Sequence, residues 1–211
     1  MKTGSHRAFS LLELLVVMAI LAILVAAAIP GINYLNRDLN LTTAGDLLRD
    51  SLELARQTAA TKNSTVEVRL YQLPDQGGTT PTSYRAFQLF LKGEGTVPTY
   101  TALTKITYLP QGIILMADKT KTTFLAPTGQ PASGATPPSG AAAFALPGCG
   151  TNYNYAYFCY KPSGRTDLDP TLKWFASLVG KNAPIAQNDL PANFLTVQVD
   201  PLLGKAMIYR P

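Results

Sequence analysis

The sequence predicts an α+β fold, in which a long N-terminal transmembrane helix continues into a second half that packs on a mostly antiparallel β-sheet domain. Three observations predict it. Residues 9–29 form an apolar run broken by a single carboxylate, Glu13. Beyond that run, apolar residues recur at helical spacing. After Lys62-Asn63 the period switches to two, the repeat of a strand with one buried face.

As a helix the 21 residues of the apolar run extend ~31 Å and match a hydrocarbon core of about 30 Å. A carboxylate in that solvent costs about 2.5–3.5 kcal/mol at the centre and less near an interface. Glu13 is therefore predicted to meet a positive charge brought by another chain. Lys2, His6 and Arg7 precede the run, whereas the next positive charge, Arg37, is balanced by Asp38. The positive-inside rule then puts the N-terminus in the cytoplasm and exports everything after the span. An ordinary secretory signal would end in a small-residue exit such as Ala26-Ala27-Ala28, but its apolar core would be about 7–15 residues long. The run here is longer and contains Glu13. A plain single-span anchor carrying a binding module is the alternative that stays open. A buried helix of a soluble protein does not suit so long an uninterrupted run.

The stretch from Ala8, Ala8-Phe9-Ser10-Leu11-Leu12-Glu13, resembles the N-terminus of type IV pilins and pseudopilins. The resemblance implies that residues 1–8 are a leader, that a prepilin peptidase cuts between Ala8 and Phe9, and that the new Phe9 amine is methylated. Glu13 then becomes the fifth mature residue. The residue before the cut is usually Gly in that family and here is Ala8, another small side chain that fits the same pocket. The resemblance extends to Pro30, where pilin helices commonly carry a proline. It implies as partners the prepilin peptidase and other pilin-like subunits, met through the N-terminal helix in the inner membrane, with a periplasmic C-terminal domain that can end in a filament. Glu13 would pair there with the Phe9 amine of a neighbour.

Past Pro30 the residues Leu35, Leu39, Ala44, Leu48, Leu52, Ala55 and Ala59 recur at helical spacing, with Arg37, Asp38, Arg49, Asp50, Glu53 and Arg56 mainly elsewhere on the wheel. Residues 30–62 thus read as an amphipathic continuation of the stem. Pro30, followed by Gly31, removes a helix hydrogen bond and predicts a kink there, the other reading being a break into two helices. Residues 63–211 make the globular domain. Val66, Val68 and Leu70 alternate with Glu67, Arg69 and Tyr71 in a half-buried strand, and residues 84–92 follow as a second. Shorter strands fit residues 105–109, 113–116 and 122–125. Tyr153, Tyr155, Tyr157, Phe158 and Tyr160 follow, and alternation over residues 155–161 reads as a strand, which suits these aromatics better than a sugar- or base-stacking platform would.

Residues 126–150 are rich in Pro, Gly, Ser and Ala. They read as a long exposed excursion, either a contact loop in an assembly or a tolerated insertion. Cys149 and Cys159 are ten residues apart in a domain destined for an oxidising compartment, which predicts a disulfide, since a metal site wants more ligands at closer spacing. So short a loop would contribute somewhat under about 3 kcal/mol. Asp167 and Asp169 are weak calcium candidates. Asp169-Pro170 reads more simply as an N-cap with proline at the first position of a short helix over residues 171–179, stopped by Gly180. Residues 194–211 read as strand, turn and strand around Asp200-Pro201 and Gly204.

Composition narrows the function. The chain carries 18 basic and 13 acidic residues, a net charge of +5. Removing Lys2 and Arg7 with the leader leaves 16 minus 13, or +3, spread along the chain, which is no nucleic-acid signature. The one histidine, His6, lies in the leader, and no nucleophile elbow, phosphate loop or metal box appears, so neither catalysis nor a cofactor is predicted. Residues 48–70 also resemble the helix-to-strand junction of H-type minor pseudopilins. Residues 161–179 and 194–211 resemble the group named Verru_Chthon cassette protein D, a pilin-like set of unassigned role. Both resemblances imply an N-terminal helix on a mostly antiparallel sheet.

Overall fold

The computed structural model describes residues 11–75, 78, 80–95, 99–125, 145–147, 150–183 and 189–210, and for residues 26–37 the backbone alone. The chain divides into two compact units, residues 1–39 and residues 40–211. Helix α1 (Leu11–Lys62) supplies the described part of the first unit and opens the second. Its backbone is helical across Pro30 and Gly31, so the two-helix reading does not hold.

In the second unit α1 buries Leu41, Ala44, Leu48, Leu52, Ala55 and Ala59. These positions follow the 3.6-residue repeat of one helix face. Leu39, predicted to belong to that stripe, is 65% exposed because it falls off the face that Leu41 begins; the side chain of Leu35 lies outside the described residues. Gly45 brings the helix close to the sheet. A Cβ there would stand 2.6 Å from Leu195 Cδ2. The helix ends at Asn63 (φ 47°). The Ser64 amide donates back to the Ala59 carbonyl at 3.2 Å, the bond that closes a left-handed C-terminal cap.

Strand β1 (Thr65–Pro74) pairs antiparallel with β2 (Pro81–Lys92) from Thr65 opposite Lys92 to Pro74 opposite Pro81. The other edge of β2 is shared in turn by β3 (Tyr100–Ala102), β4 (Thr107–Tyr108) and β5 (Ile113–Leu115). Strand β6 (Asn154–Tyr160) returns to the outside of β1. Strands β7 (Trp174–Gly180), β8 (Phe194–Val199) and β9 (Ala206–Tyr209) continue from β5. Among the described residues the sheet has nine strands, seven of them in the order β6-β1-β2-β5-β7-β8-β9 with β3 and β4 off this path on β2, and its pairs are antiparallel. The α+β architecture and the closing β8-β9 hairpin are as predicted.

Three local readings are corrected. Residues 174–180 form a strand where a helix over 171–179 was predicted. Trp174, Ala176 and Leu178 face the α1 side, while Ser177 and Val179 are buried as well, so the alternation that identifies a strand is lost. The Asp169 carboxylate accepts from the Thr171 amide at 2.8 Å and its hydroxyl at 2.7 Å, a local turn that shares the side-chain chemistry of a helix start. Residues 123–125 form a 3₁₀ turn where a strand was predicted. Its hydroxyls nevertheless do a strand's work: Thr123 Oγ1 accepts from the Phe175 amide at 2.8 Å, and Thr122 Oγ1 from the Ser177 amide at 3.3 Å.

The third correction concerns the face of β1 opposite α1. Glu67, Arg69 and Tyr71 were read as the exposed side of a half-buried strand, yet they are 0%, 1% and 0% exposed. A second apolar cluster of Tyr71, Phe90, Leu146, Tyr153 and Tyr155 covers that face. Arg69 Nε donates to Glu67 Oε1 at 2.6 Å. The guanidinium carbon stands 4.1 Å from the Phe90 ring centroid, 4.8 Å from Tyr100 and 4.9 Å from Tyr155, within cation–π range. Burial pushes the Glu67 carboxyl up against the pull of Arg69. The same burial opposes the charge on Arg69, but Glu67 outweighs it and holds the guanidinium protonated. Burial likewise pushes the Tyr155 hydroxyl up to about 12.

Removing one member of this pair strands the other as a buried charge. Glu67→Leu and Arg69→Met should each destabilise the fold by about 3–5 kcal/mol, while the double replacement should return to within about 1 kcal/mol of wild type or exceed it. The check is urea unfolding of the full chain in detergent, followed by emission from Trp174, the one tryptophan of the sequence and 1% exposed. A double variant as unstable as the sum of the single ones would show that the two charges are not coupled.

Candidate functional site

The segment singled out by the sequence is the start of α1. Glu13 lies in the first turn of the helix, where a carboxylate is favoured by the unpaired amides and the positive end of the helix dipole. Around it the apolar side chains of residues 11–25 are exposed, from 47% at Val17 to 83% at Leu11. A helix apolar on every side is one whose cover comes from elsewhere, from lipid or from other helices. In the second unit, by contrast, α1 carries one apolar face and a charged flank. Arg49 there bonds Asp50 at 2.8 Å and reaches Asp46 at 3.6 Å, and Arg56 bonds Glu53.

Ala8 and Phe9, the predicted processing residues, lie outside the described residues, as does His6. The backbone of the predicted span is described from Leu11 and its side chains as far as Val25. Among the described residues no helix is long and apolar enough to cross a membrane. Residues 11–25 would extend about 22 Å, short of a core of about 30 Å.

Cys149 and residues 126–144 also lie outside the described residues. Cys159 carries a free, buried thiol on β6, opposite Glu67 in the register. Its amide donates to Asp167 Oδ1 at 2.7 Å. Burial first, and then the carboxylates of Asp167 and Glu67, push the thiol far above its ordinary value. The two calcium candidates are thus engaged locally, Asp167 by the β6 backbone and Asp169 by Thr171, whose bonds hold the Asp169 carboxyl below its ordinary value. Among the described residues no group of three or more His, Cys, Asp or Glu side chains could hold a metal ion.

Residues 4–29 match the family described as Prokaryotic N-terminal methylation motif. No curated protein and no solved structure matches the chain. The matched residues include part of the predicted leader, the predicted cleavage position and the apolar start of α1. The motif indicates a pilin-like subunit processed by a prepilin peptidase, membrane-anchored or filament-associated, that assembles with other pilin subunits. The motif supports a type IV pilin-like or pseudopilin-like protein.

The state of Cys159 gives a direct check on the packing of β6. At mildly alkaline pH a thiol-alkylating reagent should leave Cys159 unmodified in the folded, reduced chain and label it once that reduced chain is unfolded, because a buried and protonated thiol does not attack. Mass mapping of the tryptic peptide reads this. Labelling of the folded chain at the unfolded rate would mean that β6 is not buried as described.

Proposed function

We propose that the chain is a pilin-like or minor pseudopilin subunit that waits in the inner membrane through residues 9–29, N-terminus cytoplasmic and globular domain periplasmic. Cleavage between Ala8 and Phe9 releases it into a type IV pilus or a type II secretion-like filament or tip complex. One observation carries the reading: the methylation motif at residues 4–29 coincides with an α1 segment exposed on all sides and holding a carboxylate in its first turn.

In the assembly Glu13 meets the Phe9 ammonium of a neighbouring subunit within the apolar bundle. Pairing offsets the desolvation of both charges, and a subunit displaced along the bundle axis leaves both unmatched, so the pair sets register. Pro30 removes one backbone hydrogen bond and supplies a point at which the stem can bend to fit its neighbours. In the oxidising compartment Cys159 would bridge to Cys149. Non-reducing peptide mapping of protein from its native compartment tests that separately, and two free thiols would exclude it.

The intact mass of the mature protein should correspond to a chain beginning at Phe9 with a methylated amine. Retention of residues 1–8, or a start at Ile29, would refute the processing step. Glu13→Leu should leave cleavage and membrane abundance normal while sharply reducing crosslinking to partner subunits, since the ammonium it deserts is penalised by about 3–5 kcal/mol when desolvated. Crosslinking equal to wild type would remove Glu13 from the mechanism.

A further inference from the structure

We draw no further inference here: the strongest candidate, the apolar surface formed by the exposed leucines of the β8-β9 turn, Leu202 and Leu203, and of α1, Leu47 and Leu54, carries nothing, since the charges beside it, Lys205 and Asp50, line one cleft of the same chain and nothing in the structure shows what covers either patch.

Discussion

The second unit depends on one apposition, the Leu41-to-Ala59 face of α1 laid on the sheet. The face alternates Leu41, Leu48 and Leu52 with the small Ala44, Ala55 and Ala59, and Gly45 leaves no room for a Cβ beside Leu195. Small side chains let the helix lie close, so the bulk of the core comes from the sheet side, from Phe87, Phe124, Phe158, Tyr160 and Trp174. This division of volume also shapes the rest of α1. Its buried face must be narrow and regular, which leaves the ridge free for the Arg49 and Arg56 ion pairs and for two exposed leucines. The same helix begins with residues that are apolar all round. One continuous backbone thus joins two different solvation patterns.

Much of this was legible because it is periodic. The stem follows from a 3.6-residue repeat, β1 and β2 from a two-residue repeat, and the terminal hairpin from Asp200-Pro201 and Gly204 between apolar runs. The motif around Glu13 was legible for a different reason. Its residue types are costly in an apolar run and so are not placed there by composition alone.

What the sequence concealed was set by distant cover. The alternation of Val66 to Tyr71 identifies a strand correctly, but nothing local says that the second face is also roofed. Leu146, Tyr153 and Tyr100 do that from far along the chain, and they turn Glu67 and Arg69 from solvated charges into a buried pair. Burial on both faces also disguised β7, since a strand with no exposed side has no alternation to show, and an Asp-Pro turn before it looks like a helix start. At Thr122 and Thr123 the β-branched composition pointed to the right partner and the wrong backbone. Their side chains, rather than their amides, meet β7. Strand β3 is three residues long and exists only through its register with Phe90 to Lys92; so short a piece has no signal of its own.

The long edge of β2 is occupied in succession by three short strands, none longer than three residues. Each adds its own few backbone bonds, and between β3 and β4 the Leu103 and Thr104 amides also donate to the Leu89 carbonyl, while past β4 the Leu109 amide donates to the Arg85 carbonyl. That edge is stitched at close intervals rather than by one long ladder, and the buried Leu109 ties it to the core as well as to β2. The loss of any one short strand would therefore leave the neighbouring stitches and the β1-β2 pairing in place.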